Sequence, residues 1–226
     1  MTVKTFEALD FMRFAIPNIW DINARQTASS PELLSFLGGR GWGSYGPLWK
    51  KMPRIWKGSL ADAEIASWWK TAWLIDGMKA LRDQYKVVGA WYPLSQDARW
   101  VGGVKLKTSA RGVLFTPEHG PEVHVINPRK SQFIDRQALS FLARAAYEEH
   151  VIDDPNSPRV AVLDLGSKKR SKTRDVQMYR GDFVDMMSVE HFEYAVNAFF
   201  EALKLADAAQ YGSISAVSVS EFRIPR

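Results

Sequence analysis

The stretch GVLFTPEHGPEVHVIN, residues 112–127, decides the fold of this chain. Two runs rich in β-formers, Gly112–Thr116 and Glu122–Asn127, flank Pro117-Glu118-His119-Gly120, a segment typical of a hairpin loop. Two neighbouring strands in antiparallel pairing are therefore predicted at the centre of the chain.

Further elements are predicted on both sides of this hairpin. Strand-like runs cover Val87–Leu94 and Trp100–Leu106, whereas helical periodicity marks Asp62–Gln84, Asp135–Glu149 and Val189–Ala208. A buried strand is predicted at Arg159–Leu165, and the tail Ile214–Ile224 is assigned an edge strand. The order predicts an α+β fold, a central mixed β-sheet flanked by helices.

The first part of the chain is predicted to be helical and rich in tryptophan. The N-terminus, Met1–Ile16, has the pattern of an amphipathic helix, and Pro31–Leu37 is a short helix capped by Ser30. Pro47 and Pro53 indicate an irregular Gly41–Gly58. Without repeats or a low-complexity linker, one domain is predicted over residues 1–226, with a helical front section at 1–86 and a sheet-and-helix core at 87–226.

Composition limits the classes of chemistry. The 226 residues include no cysteine, which excludes disulfides, thiolate zinc sites, iron–sulfur clusters and cysteine nucleophiles. No run of about 18 apolar residues is present, so a soluble, cytoplasmic protein without a membrane partner is expected. The four histidines are widely spaced, and neither a metal site nor another cofactor is predicted.

Basic residues cluster in segments that lack acids, and this distribution favours a polyanion as partner over solvated loops alone. The net charge is +5, and the candidate contacts are Arg40, Lys50, Lys51, Arg54, Lys57, Arg111, Lys168, Lys169, Arg170, Lys172 and Arg174. In the first cluster these cations alternate with Trp42, Tyr45, Trp49 and Trp56. Cations neutralise phosphates while aromatic rings stack on bases, although the same residue types are enriched in protein interfaces.

The middle of the chain also contains a sequence of motifs. Val104–Thr116 and Val123–Arg129 are two successive strand segments, and Gln137-Ala138-Leu139-Ser140-Phe141 follows on a helix. With the upstream helix at Ser30–Phe36, this order resembles the RecB-like branch of the PD-(D/E)XK nucleases. The resemblance implies a restriction-endonuclease-like fold in which one strand carries Asp, the next Asp/Glu-x-Lys, and the helix Gln-x-x-x-Tyr.

The chain departs from that family at the metal-binding positions. The first Asp falls on Ala110 or Arg111, and Asp/Glu-x-Lys becomes Asn127-Pro128-Arg129. Neutral or cationic groups there disfavour Mg²⁺. The expected function is therefore that of a catalytically inactive, nuclease-like subunit of a bacterial or phage nucleoprotein complex. Its implied nucleic-acid contacts add Asn127, Arg129, Lys130 and Gln137.

Two alternatives remain open from the sequence. An active, Mg²⁺-dependent nuclease would use acids outside the expected positions, and the candidates are Glu118, Glu122 and Asp164. A protein–protein adaptor would instead dock a partner on the tryptophan-rich segment without touching nucleic acid.

Overall fold

A computed structural model describes residues 5–38, 45–59, 72–95, 97–129, 134–151, 159–166, 176–180 and 185–220, with side chains of the last helix described as far as residue 209. Its strands are β1 Thr5–Glu7, β2 Pro17–Asn18, β3 Asp21–Ile22, β4 Ala90–Pro93, β5 Arg99–Val101, β6 Val104–Lys107, β7 Ala110–Thr116, β8 Gly120–Asn127, β9 Arg159–Asp164 and β10 Gln177–Arg180. Its helices are α1 Ala8–Phe14, α2 Ala24–Ala28, α3 Pro31–Leu37, α4 Gly46–Trp56, α5 Ala72–Gln84, α6 Arg136–His150 and α7 Val189–Ser220.

The main sheet has five strands in the order β10-β9-β8-β7-β4. Strands β4, β7 and β8 form an antiparallel meander, and β9 pairs with β8 in parallel after the crossover through α6. The register places Asn127 opposite Asp164, so these two polar side chains meet where β8 and β9 end. The sheet is mixed, as the sequence predicted.

Helices cover both faces of this sheet. Val123 and Val125 of β8 pack with α1, α6 and α7 in one cluster of buried side chains. Ile126 packs on the other face with α4 and α5 in a second cluster. Because both faces are covered, every β8 residue from Glu122 to Asn127 is buried, including the polar Glu122, His124 and Asn127. The predicted α+β architecture with helices flanking a mixed sheet is confirmed.

A second, three-stranded sheet has the order β1-β6-β5. The predicted single strand Trp100–Leu106 is wrong, because Gly102 and Gly103 adopt φ values of +51° and +83° and turn the chain into a hairpin. Positive φ at both central residues suits a tight two-residue turn, and glycine adopts it without steric cost. Strand β1 pairs with β6 in parallel, so the predicted helix at Met1–Ile16 begins only at Ala8.

The stretch predicted to be irregular contains α4. Pro47 lies in its first turn, where the missing N–H costs nothing, and Pro53 lies three residues before its end. One helical hydrogen bond is missing at Pro53, but Leu48, Met52, Ile55 and Trp56 are buried against α5 and the sheet. Burial of this apolar face outweighs the unfavourable proline.

Two other predicted elements, the edge strand Ile214–Ile224 and the helix Asp62–Gln84, lie partly outside the described residues. The predicted edge strand from Ile214 is wrong as far as Ser220, because α7 continues through this segment, each further helical residue adding a hydrogen bond. The rest of that predicted strand, 221–224, lies outside the described residues, as does the first part of the predicted helix Asp62–Gln84. The described part of the latter, Ala72–Gln84, is helical.

Candidate nucleic-acid interface

The β8 positions at which the sequence resemblance predicted a nuclease motif lie in a polar cluster at the strand ends. Asn127 is fully buried, and its Nδ2 donates a hydrogen bond of 2.8 Å to Oδ1 of Asp164. Its Oδ1 accepts from the backbone N–H of Arg129 at 3.1 Å. Arg129 itself lies two residues beyond the last residue of β8 and not on the strand. Asn127 thus fixes the path of the chain as it leaves the sheet.

Asp164 holds three segments together. Only 3% of it is exposed, and besides Asn127 it accepts from the backbone N–H of Gly166 at 2.8 Å and of Ile134 at 2.6 Å. Ile134 directly precedes Asp135, whose carboxylate caps α6 through a 2.7 Å bond from Ala138 N–H. The Asp164 carboxylate therefore ties the ends of β8 and β9 to the start of α6.

Arg129 reaches across to the N-terminal segment. Its Nη2 donates to Asp10 Oδ1 at 2.7 Å, and its Nη1 donates to the carbonyl oxygen of Leu9 at 2.8 Å. Burial raises the pKa of the Asp10 carboxyl, and the attraction of Arg129 opposes that rise. The other Asp10 oxygen accepts from the Glu7 N–H at 2.7 Å, which completes the capping box at the start of α1.

Arg111 makes the matching contact from β7. The register of β7 against β8 shifts between Ala110 and Gly112, so Arg111 is the extra residue of a β-bulge, which turns its side chain. Its Nη2 donates to both carboxylate oxygens of Glu7, each at 3.0 Å. Its guanidinium also lies 4.8 Å from the ring centre of Trp49, a cation–π contact with α4.

Glu7 and Asp10 are the members of this cluster that sequence reasoning missed. They precede Arg111 and Arg129 by 104 and 119 residues, and no local spacing links the two regions. The parallel pairing of β1 with β6 brings them together. Within the described part of the chain, no group of three or more His, Asp or Glu side chains has the arrangement of a metal site. The cluster pairs each arginine with a carboxylate.

Helix α4 carries the second set of predicted contacts. Positions 50, 54 and 57 follow the helical repeat and share one face, with Lys51 beside them and Lys57 at the C-terminal cap. Lys50 and Lys57 are exposed, and Lys51 and Arg54 are half-buried. Arg54 donates to the carbonyl oxygen of Ser59 at 3.1 Å, which holds it at the helix end. We call these four residues the basic face of α4.

The aromatic residues predicted to alternate with these cations behave differently from one another. Trp56 is fully buried between α4 and the sheet, where its ring lies 6.5 Å from that of Trp91. Trp56 is therefore a core residue, and its buried ring has no surface on which a base could stack. Tyr45 and Trp49 are half-buried, with ring centres 6.4 Å apart. Trp42 lies outside the described residues.

The acids of the alternative nuclease hypothesis lie apart. Glu118 is in the exposed β7–β8 turn, where it lines a pocket of about 160 Å³. Glu122 is buried and forms a 2.9 Å ion pair with Arg180. In the pairing of β8 with β9, Glu122 is five positions from Asn127 and hence from Asp164, about 17 Å along the strand. The structure brings Asp164, Asn127, Arg129 and Arg111 into one neighbourhood, without Glu118 or Glu122.

Next to Glu122 lies a buried histidine. His124 is fully buried between Trp56 and Trp91, and its Nε2 is 3.5 Å from Glu122 Oε2. Burial lowers the pKa of the His124 imidazole below its usual value, against the attraction of the Glu122 carboxylate. The His124 imidazole therefore occupies an aromatic site in the core where burial disfavours its charged form.

The remaining predicted contacts are placed as follows. Gln137 is half-buried in the first turn of α6. Seven others lie outside the described residues: Arg40, Lys130, Lys168, Lys169, Arg170, Lys172 and Arg174.

Among the helices that the structure describes, none is long and apolar enough to span a membrane. In comparisons with known proteins, no family model matches the sequence, and no curated protein matches it at significant similarity.

Proposed function

We propose that the protein binds nucleic acid through the basic face of α4 and does not hydrolyse it. The observation that carries the proposal is the division of α4 into two faces. Leu48, Met52 and Ile55 are buried, whereas the cations lie on the opposite side. No acidic residue occurs between Glu32 and Asp62, so the segment of sequence that contains α4 is strongly basic.

Phosphate groups suit such a surface. Each lysine or arginine that contacts a phosphate releases condensed counterions, which gives an affinity that falls steeply with salt. Arg111 is a further cation next to α4, because its guanidinium lies 4.8 Å from the ring centre of Trp49. The ion pair with Glu7 balances its charge. The basic face of α4 is therefore the principal phosphate-binding surface in this proposal.

The second half of the proposal rests on the nuclease-like order of elements. A helical front, β7, β8 and α6 follow one another as in the RecB-like nucleases, which supports a restriction-endonuclease-like core. The positions that would carry carboxylates or lysine in that family fall on Ala110 or Arg111, on Asn127 and on Arg129. Two of these are arginines in ion pairs with Glu7 and Asp10, and a guanidinium repels Mg²⁺. A binding subunit of a bacterial or phage nucleoprotein complex fits this arrangement.

The test compares two charge-reversed variants of equal net charge. Lys50→Glu/Lys57→Glu changes the basic face of α4, and Arg25→Glu/Lys204→Glu changes exposed cations on α2 and α7. Fluorescence anisotropy measures the affinity of each variant for labelled single- and double-stranded oligonucleotides at several salt concentrations. The α4 variant is expected to bind at least about tenfold more weakly, with a salt slope shallower by about 0.7–0.9 for each phosphate that it no longer neutralises. The control is expected to change much less.

Three outcomes would contradict the proposal. The absence of binding by the parent protein would overturn it, and so would equal reductions of affinity in the two variants. The same oligonucleotides are expected to remain intact with Mg²⁺ or Mn²⁺. Cleavage that disappears on Glu118→Gln, Glu122→Gln or Asp164→Asn, in a variant that circular dichroism shows to be folded, would instead establish the active nuclease.

A further inference from the structure

The three-stranded sheet β1-β6-β5 has one face toward the core and one face outward. Phe6 and Leu106 are register partners and both are buried, which fixes the inner face. Because side chains alternate along a strand, the neighbouring positions point outward. The outward set is Thr5, Glu7, Lys105, Lys107 and Trp100.

Trp100 is the unusual member of this set. It is 60% exposed although it lies within a paired strand, and its register partner is Lys105. Lys107 lies two positions after Lys105 in β6 and on the same face, about 7 Å from Lys105 along the strand. An indole that is held by a strand with much of its surface in water is a preorganised surface for another flat ring.

On its own face the indole has Lys105 as register partner, whereas the acids Asp97 and Glu149 are grouped with Arg99, whose register partner Leu106 lies on the inner face. No acidic residue occurs between Asp97 and Glu118. Among the outward strand residues named above the acid is Glu7, and Arg111 holds it with two hydrogen bonds of 3.0 Å, so its charge is matched. A series of contacts connects this sheet to α4. Lys107 is the register partner of Glu7, Glu7 forms an ion pair with Arg111, and Arg111 makes a cation–π contact with Trp49 of α4.

We propose that the outward face formed by Trp100, Lys105 and Lys107 binds single-stranded nucleic acid, with a base stacked on Trp100 and the two lysines at the backbone phosphates. The inference rests on the proposed function and extends it by naming the form of nucleic acid. A duplex keeps its bases stacked on one another, so an indole fixed on a sheet surface gains nothing from it. A single strand offers an exposed base next to each phosphate.

The experiment uses Trp100→Ala, Trp100→Phe and, as matched control, Tyr92→Ala, which removes a comparably exposed aromatic from β4. Affinities for a labelled single strand and for the same sequence as a duplex are measured by anisotropy, with circular dichroism as a check of folding. Trp100→Ala is expected to weaken single-strand binding about tenfold. Duplex affinity is expected to stay unchanged, and Trp100→Phe is expected to retain most of the single-strand affinity.

The outcomes separate this inference from the proposed function. Parent protein that binds neither form would overturn both. Binding that weakens on Lys50→Glu/Lys57→Glu but not on Trp100→Ala would overturn only the stacking surface. Equal reductions for single strand and duplex, or equal reductions in Trp100→Ala and Tyr92→Ala, would also overturn it.

Discussion

Replacing Asp164 with alanine removes the acceptor for three buried donors within the described part of the chain. These are the side-chain amide of Asn127 and the backbone N–H groups of Ile134 and Gly166, at 2.8, 2.6 and 2.8 Å. A buried donor without its partner costs about 1–3 kcal/mol. Because some relaxation and water entry are expected, we expect Asp164→Ala to lower the free energy of unfolding by about 3–5 kcal/mol.

Asp164→Asn gives a graded comparison. The amide keeps one oxygen to accept from Asn127 and Gly166 but turns an N–H toward Ile134, so we expect stability to fall by about 1–3 kcal/mol. Asp76→Ala on the exposed side of α5 is the surface control, with an expected change within about 0.5 kcal/mol. Urea denaturation followed by tryptophan fluorescence measures all three. An Asp164→Ala variant as stable as the Asp76→Ala control would refute a structural role for this carboxylate.

Two further perturbations test the core and the hairpin. Burial holds the pKa of His124 below its usual value of 6.5 in the folded protein, so the unfolded chain binds the proton first and stability falls as pH falls through about 6.5. His124→Phe is expected to flatten the dependence of urea-measured stability on pH between pH 7 and 5, with the contribution of His150 remaining, and an unchanged pH profile would contradict this. Gly103 and Gly120 both have positive φ values, +83° and +69°, but differ in the space around them. The methyl group of Gly103→Ala would lie 2.7 Å from the Phe200 ring, whereas that of Gly120→Ala would meet no atom. Thermal unfolding should show Gly103→Ala to be more destabilised than Gly120→Ala by about 1–3 kcal/mol, and equal effects would exclude the clash as the cause.

The elements that the sequence predicted correctly have local causes. The β7–β8 hairpin, α6 and β9 each show a hydrophobic pattern of the right period, and their ends carry turn or capping residues. Asp135 caps α6 and Ser30 caps α3, and each accepts the expected backbone N–H. Such signals lie within a few residues of the structure that they specify.

The features that the sequence did not reveal depend on distant residues. Helix α4 forms despite Pro53 because its apolar face packs on α5 and the sheet, and no local propensity contains that interaction. The ion pairs of Arg111 and Arg129 require acids more than one hundred residues away. The sequence pattern singled out Arg111 and Arg129 but not Glu7 and Asp10, the carboxylates that neutralise them.

The position of β1 has a consequence for the order in which the protein folds. Segment 5–14 is synthesised early, but β1 pairs with β6, and the hydrogen bond from Arg129 to Leu9 spans 120 residues. Contacts of such high sequence separation carry a large loop-closure entropy and form late. On the ribosome β1 has no partner until β6 has been translated, and the contact of Leu9 with Arg129 also requires β7 and β8. During refolding the amides of segment 5–14 should therefore gain hydrogen-exchange protection after those of the local β7–β8 hairpin.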